Sequence, residues 1–390
     1  MSRRSAVTPV SVKLLRACAH LLDVAQAGLE PSVAVRPTNK FNEISIESCL
    51  GWRKHHALEC CTVAHSCGDA VLGVTKAELF QWVKAMSGNG RKDMTAFVFP
   101  GQGSQKRGMG QGLFDEVREY AAIEKEADAI LGCSLRKLCL EDPDNRLKET
   151  QFTQPCLYVV NALHYYKAAS EGTRPAYVAG HSLGEYNALL AAGVFDFLTG
   201  LRLVKKRGEL MAQARNGGMA AIVGLNSSTI EKAVREHGLD TLDLANFNTP
   251  SQTVISGPVE DIKRAAPVFE RLGARLYMPL QVSAAFHSRY MGPSARAFAE
   301  YLSPMSFASP KIPVIANATA QPYPSSGSSE SVKSLLTRQI DHSVQWIQSV
   351  RYLIGEGVSQ FIEMGPGNVL TKTIQEIQKD MDSVSLTAAR

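Results

Sequence analysis

Tyr177-Val178-Ala179-Gly180-His181-Ser182-Leu183-Gly184-Glu185-Tyr186-Asn187-Ala188-Leu189-Leu190 reads as a strand, a sharp turn and a helix. Its serine stands between two glycines, the Gly-x-Ser-x-Gly pattern of a nucleophile elbow. So tight a turn needs minimal side chains on either side, and it lifts the hydroxyl clear of the backbone. Free N–H groups at the helix N-terminus can then hold a developing oxyanion. A structural turn without chemistry is the competing reading of so short a pattern.

Two further stretches bear on the choice. Thr95-Ala96-Phe97-Val98-Phe99 is a short apolar run of strand type that ends in Pro100-Gly101-Gln102-Gly103-Ser104-Gln105. Proline and glycine stop the strand and let backbone approach a ligand closely. Two such strand ends suggest neighbouring parallel strands whose carboxyl ends form a ligand crevice; the alternative is a polar surface turn. Downstream, Gln281-Val282-Ser283-Ala284-Ala285-Phe286-His287-Ser288 places a histidine where an apolar strand gives way to a loop. A serine hydroxyl needs a base within hydrogen-bond reach. Spacing alone does not choose among the nine histidines, and a structural histidine is the plainer reading of His287.

The motifs taken together carry a resemblance. Phe-Pro-Gly-Gln-Gly-Ser-Gln (99–105), Thr-Gln-Pro (153–155), Gly-His-Ser-Leu-Gly-Glu-Tyr (180–186), Arg207, Ala-Phe-His-Ser (285–288) and Glu-Met-Gly-Pro-Gly (363–367) stand in one order. From about residue 94 to about 380 the chain resembles the malonyl-CoA:acyl carrier protein transacylases of fatty-acid and polyketide synthesis. Val-Ser-Ala-Ala-Phe-His-Ser is similar to the discrete acyltransferases that serve polyketide synthases in trans.

The resemblance implies a fold, a mechanism and a site. The fold is α/β, with an α/β-hydrolase-like core built on a mostly parallel sheet and an inserted ferredoxin-like βαββαβ subdomain. Ser182 matches the nucleophile that takes malonyl from coenzyme A as an ester. His287 matches the general base, oriented by a backbone carbonyl at Gln339. The oxyanion hole is implied at the N–H groups of Gln102 and Leu183. Arg207 matches the arginine that binds the malonyl carboxylate, with Phe286, Met211 and Asn246 completing the acyl pocket. The phosphopantetheine thiol of an acyl carrier protein is the implied acceptor. No bound cofactor or metal, no nucleic acid, no membrane, a monomeric state and a cytoplasmic location go with it. One departure is Ala284, where malonyl-type domains often carry histidine.

Independent chemistry accompanies these assignments. A guanidinium pairs with a carboxylate through two parallel hydrogen bonds, which lysine cannot do. A monocarboxylic acyl group would leave that buried charge unpaired. Leu201-Arg202-Leu203-Val204-Lys205-Lys206-Arg207 reads as helix, and Arg207 can point to the core or to a solvated basic face. Phe286 would narrow the pocket or serve as a core aromatic.

The region after Arg207 predicts a second unit. Strands are expected at 220–225, 243–246, 253–257 and 275–282, with helices at 228–237, capped by serine or threonine, and 260–272. That order is the split βαββαβ unit, placed as a lid with the site in the cleft below. Asn246 and Asn248 would close its side of the pocket or lie in loops. The expected organisation is an N-terminal extension over 1–93, a large subdomain over 94–218 and 288–380, a small one over 219–287, and a tail over 381–390.

Composition is ordinary for a globular chain: 390 residues, 45% apolar and 20% charged, with a formal charge of +5. The scattered basic residues leave no nucleic-acid footprint. Arg107, Arg202, Lys205 and Lys206 offer weak guidance to an acidic carrier protein. No apolar run reaches the roughly eighteen residues of a spanning helix. Residues 1–93 hold five of the eight cysteines and four of the nine histidines. The cluster His55-His56, Cys60-Cys61, His65 and Cys67 fits no zinc-finger spacing. Residues 1–22 carry four Arg/Lys and no acid, as in a mitochondrial transit peptide, and Val12 to Ala25 has the spacing of an amphipathic helix. A start at Met94 is the third alternative, and 87–93 marks a boundary under all three.

Three other functions compete. An acyl hydrolase that clears carrier proteins keeps the fold but sends the acyl group to water. A Ser-His-Asp esterase would take Asp240, Asp243 or Asp261 as third member. A non-catalytic carrier-protein docking module would leave Ser182 and His287 without a task.

Overall fold

The first strand explains the layering. In the computed structural model, which describes residues 94–325 and 328–388, β1 (Met94–Phe99) alternates two kinds of side chain. Phe97 and Phe99 enter one buried cluster, whereas Ala96 and Val98 enter another on the opposite face. Burying each phenylalanine contributes about 1.5–3 kcal/mol. After a run of short helices between 113 and 140 comes α1 (Thr150–Ser170), whose Tyr165 meets both rings edge-on with centroids 6.3 Å apart. Next come β2 (Tyr177–Gly180), α2 (Gly184–Ala191) and α3 (Phe197–Gln213).

The chain then builds a second sheet from β3 (Gly217–Val223), α4 (Ser227–Glu236), β4 (Asp243–Thr249), β5 (Gln252–Pro258), α5 (Val259–Arg271) and β6 (Leu276–Pro279). Its strand order is β4-β5-β3-β6, with every neighbouring pair antiparallel. One face of β3, with Ala220 and Ile222, packs with Ile230 of α4 and Phe269 of α5. Met219 and Ala221 on the other face join the large core. Period-two alternation therefore fastens this sheet to the rest of the molecule.

Returning, the chain forms α6 (Gly292–Leu302), β7 (Val314–Ile315), α7 (Ser329–Asp341), α8 (Trp346–Gly355), β8 (Val358–Glu363) and α9 (Val369–Ala388). The first sheet is parallel, in the order β7-β2-β1-β8. Its Ala96/Val98 face is covered by Trp346 and Ile347 of α8 and Leu370 and Ile374 of α9. Parallel strands buried on both faces account for the continuous apolar runs at 95–99 and 177–180. The fold is thus mixed α/β, with one parallel and one antiparallel sheet.

Several boundaries differ from expectation. The strand expected to reach Val282 stops at Pro279, and proline, with no N–H, suits a strand end. His287 accordingly lies in an irregular stretch well beyond β6, not at its end. The cap of α4 is Asn226, which accepts the Thr229 N–H at 2.8 Å, not serine or threonine. Helix α9 runs through the expected tail boundary at 380 to Ala388. The cysteine–histidine cluster, the transit-peptide and helix readings and the 87–93 boundary lie outside the described residues. Among the described residues no helix is long and apolar enough to cross a membrane.

Candidate active site

The adjacent ends of β1 and β2 meet at the elbow. A Cβ on Gly184 would come within 2.0 Å of the Phe99 carbonyl oxygen, and one on Gly180 within 1.9 Å of the Gly184 carbonyl carbon. Backbone cannot yield to such contacts, so both glycines are steric requirements. Between them Ser182 has φ 51°, a left-handed conformation that costs a non-glycine residue about 1–2 kcal/mol. Asn317, just after β7, holds it there. Its Oδ1 accepts the Ser182 N–H at 2.6 Å and its Nδ2 donates to the Gly180 carbonyl at 2.6 Å.

Ser182 Oγ lies 2.7 Å from His287 Nε2. On the far side of the ring, His287 Nδ1 lies 3.0 Å from the Gln339 carbonyl oxygen. A carbonyl only accepts, so Nδ1 carries the proton and Nε2 presents its lone pair to the serine. His287 is 4% exposed. Burial, then the nearby Arg207 charge, holds its pKa down to about 3, so the ring is neutral at physiological pH and can accept a proton. Like Ser182 it has a left-handed backbone, φ 56°. The segment around it is fastened by Ser288 Oγ donating to the Ala285 carbonyl at 2.5 Å and by Arg289 Nε donating to Asp243 at 2.9 Å.

Arg207 points inward from α3 and is 1% exposed. Its Nη2 donates to Ser182 Oγ at 3.1 Å and to Gln339 Oε1 at 2.9 Å, and its Nη1 to Gln154 Oε1 at 2.7 Å. A fixed cation thus stands beside the hydroxyl, where it favours negative charge on that oxygen or a carboxylate nearby. The N–H groups of Gln102 and Leu183 donate to no acceptor among the described residues, as an oxyanion pair requires. Gln102 is tethered through its side chain, which accepts from Thr150 Oγ1 at 2.6 Å. A cavity of about 670 Å³ opens beside Gln102 and Phe286, with Thr150, Gln151 and Gln213 also in its lining.

The acyl transferase domain family matches residues 96–388. A polyketide biosynthesis malonyl CoA-acyl carrier protein transacylase, PksC of Bacillus subtilis strain 168, is 53% identical over 293 residues, 75% of this chain and 99% of that protein. The chain belongs to the malonyl CoA-acyl carrier protein transacylases of the acyl transferase family. Among solved structures, the transacylase of Burkholderia pseudomallei is 48% identical with TM-score 0.69, covering 74% of this chain and 99% of that one. A malonyl-transacylase in complex with its type II polyketide synthase acyl-carrier protein is 36% identical with TM-score 0.69, covering 73% and 93%.

This transacylase fold brings together six of the groups expected from the sequence: Ser182, His287, Arg207, Gln102, Leu183 and the Gln339 carbonyl. Met211 is buried at the edge of the group, its sulfur accepting from Gln154 Nε2 at 3.5 Å. Asn246 makes no such link: its Oδ1 is buried without a partner among the described residues. Asn248 is the asparagine joined to the elbow, through His181 Nε2 at 2.9 Å. The Ser-His-Asp alternative fails, because His287 Nδ1 faces a carbonyl instead of a carboxylate. Asp243 pairs with Arg289, and Asp261 bonds Thr241 at 2.7 Å and pairs with Arg264 at 3.0 Å. Of the basic residues offered to a carrier, Arg202 pairs with Glu126 at 3.2 Å and Lys205 with Glu209 at 2.5 Å.

Asn317, Gln154 and the buried Glu185 also belong to the site, and no local sequence pattern marks their roles. Glu185 accepts from Tyr323 Oη at 2.5 Å, the Asn317 N–H at 3.1 Å and Gln339 Nε2 at 3.1 Å. Burial pushes its pKa up to about 7 against the opposing pull of these donors. In the sequence it looks like an ordinary first-turn acid. Thr-Gln-Pro was visible as a motif, but nothing local joins Gln154 to Arg207.

Proposed function

We propose that this acyltransferase moves a malonyl group from malonyl-CoA to the phosphopantetheine thiol of an acyl carrier protein, in polyketide biosynthesis. The observation that carries the reading is the position of Ser182 Oγ between a neutral imidazole, 2.7 Å away, and a buried guanidinium, 3.1 Å away. In the first half-reaction His287 Nε2 takes the hydroxyl proton as Ser182 Oγ attacks the thioester carbonyl. The oxyanion is held by the N–H groups of Gln102 and Leu183. Its collapse expels the thiolate of coenzyme A, which receives the proton from His287. In the second, His287 deprotonates the phosphopantetheine thiol, which attacks the seryl ester, and the proton returns to Ser182.

Arg207 is assigned to the malonyl carboxylate, with Phe286 and Met211 as apolar walls and Asn246 and Asn248 on the small-sheet side. The reading includes no bound metal or redox cofactor: no atom changes oxidation state in either half-reaction, the proton rides on His287, and the Gln102 and Leu183 N–H pair meets the negative charge on oxygen. The similarity to PksC supports the polyketide assignment, and the carrier-protein complex of the related transacylase supports the acceptor. The reading includes a monomer acting in the cytoplasm, where coenzyme A thioesters meet carrier proteins.

The same reading extends to architecture. The order β4-β5-β3-β6 with two crossing helices supports a ferredoxin-like unit inserted over 219–287 into an α/β-hydrolase-like core. That core comprises 94–218 and 288–380, with 1–93 as an extension without catalytic role.

Intact-mass analysis after mixing with malonyl-CoA tests the function. A malonyl adduct on Ser182 that passes to a holo carrier protein is expected. An adduct lost to water at a comparable rate would make the protein a hydrolase, and no adduct on a folded sample would leave the docking module.

A further inference from the structure

Gln339 is used twice, and only its main-chain carbonyl serves His287. Its side-chain amide lies buried between Arg207 and the elbow. Nε2 donates to the Ser182 carbonyl at 2.6 Å and to Glu185 Oε2 at 3.1 Å. Both partners accept, so the nitrogen must face them and Oε1 must face the guanidinium. There Oε1 takes Arg207 Nε at 3.3 Å and Nη2 at 2.9 Å.

A guanidinium has two edges that can grip a carboxylate through paired N–H groups: the Nε/Nη2 side and the Nη1/Nη2 end. Gln339 Oε1 occupies the side. Gln154 Oε1 takes one Nη1 hydrogen at 2.7 Å, and Nη2 reaches Ser182 Oγ at 3.1 Å across the end. We propose that the Gln339 side chain is the positioning residue for acyl-group selection. By filling the side edge of Arg207 it leaves the end edge, aimed at Ser182, for the carboxylate. The inference rests on the malonyl-transfer reading of this site.

The consequence is a fixed distance between the carboxylate receptor and the attacking oxygen, suited to one methylene between carboxylate and thioester. With the side edge released, the guanidinium can turn, and a carboxylate bound on that edge no longer brings the thioester to Ser182. An acetyl group has no carboxylate and is indifferent to which edge is free. Glu185 supports the arrangement by fixing the polarity of the amide, as Tyr323 and the Asn317 N–H in turn hold Glu185.

The test is the ratio of acylation rates with malonyl-CoA and acetyl-CoA, followed by intact mass on the full chain and on Gln339→Met. Methionine keeps length and bulk, and the main-chain carbonyl still faces His287. A hydrogen bond to a charged group lost from the site lowers the malonyl-to-acetyl ratio by about tenfold or more, mainly through KM for malonyl-CoA. Gln339→Asn withdraws the amide by one methylene without removing its polarity, must lower the ratio likewise, and decides the matter if the methionine variant does not fold. Equal falls in both rates would assign the side chain to structure alone and overturn the inference, as would an unchanged ratio. An unsubstituted chain that takes malonyl no faster than acetyl would overturn the functional reading and the inference with it.

Discussion

Asn317→Ala removes the brace that holds the nucleophile in its left-handed conformation. Two polar groups lose their partners together: the half-buried Ser182 N–H and the buried Gly180 carbonyl, each 2.6 Å from the Asn317 amide. Leaving a buried donor or acceptor unsatisfied costs about 1–3 kcal/mol, so the pair destabilises by roughly 2–6 kcal/mol. At about 2–4 °C per kcal/mol for a large domain, the melting temperature falls by roughly 4–24 °C. The elbow then relaxes from φ 51°, which moves Oγ away from His287. A misplacement of about 1 Å slows such a step roughly a hundredfold.

Asn317→Asp sharpens the test. It keeps an acceptor for the Ser182 N–H but sets a carboxylate oxygen against the Gly180 carbonyl, close to Glu185. The new acid's folded pKa is therefore raised above its unfolded value. Its protonated form can donate to Gly180, so the contribution of this group to stability, read against the parent chain, is fully present at low pH and is lost as pH rises through the folded pKa. Thermal melting at several pH values, with single-turnover malonylation followed by mass, reads both effects. An alanine variant that melts within about 2 °C of the parent and acylates within about threefold would refute the brace, given the penalties above.

Other outcomes follow from the same geometry. Arg207→Lys keeps a charge but cannot serve Gln339, Gln154 and a carboxylate together; we expect kcat/KM for malonyl-CoA to fall about 100-fold, measured by steady-state transfer to a carrier protein. With the His287 pKa held down to about 3, the base stays neutral through mildly acidic pH. In a Glu185→Gln variant, which removes the neighbouring acid whose pKa is pushed up to about 7, the rate of acyl-enzyme formation is then flat from pH 8 to 5, and a limb near 6.5 would contradict the burial argument. Stability has the opposite sensitivity at this residue: the unfolded chain binds the proton first, so the His287 contribution is lost as pH falls from about 6.5 towards 3. Asp243→Asn should leave malonylation within about threefold while lowering the melting temperature slightly, since an exposed ion pair contributes only about 0–1 kcal/mol; a collapse of activity would revive the Ser-His-Asp triad.

Chemistry carried by short, contiguous stretches is legible in the sequence alone. The glycines at 180 and 184 announce a turn; a Cβ at Gly180 would strike Gly184 within that same turn, a local constraint, whereas one at Gly184 would strike Phe99 of the neighbouring strand. The runs at 95–99 and 177–180 announce buried parallel strands because both faces must be apolar. The alternation of strands and helices from 217 to 279 announces the second unit for the same reason of period. Boundaries were less visible, as at Pro279 and Asn226, because they depend on which group wins a few hydrogen bonds.

What only the tertiary structure decided is which distant groups share a proton or a charge. Arg207 sits on a helix whose sequence is equally suited to a solvated face, and its inward direction is set by Gln154 and Gln339 from two other helices. Asp243 had the chain order of a triad member, yet Arg289 claims it and a main-chain carbonyl stands where its carboxylate would have to be. Asn317, Glu185 and the Gln339 amide carry no local pattern, because a hydrogen-bond network records only closeness in space. Sequence by itself determined the elbow, the family of motifs and the layering, where sterics and hydrophobic period act along the chain. The acyl-binding electrostatics were decided by packing, since charge and hydrogen bonding act across it.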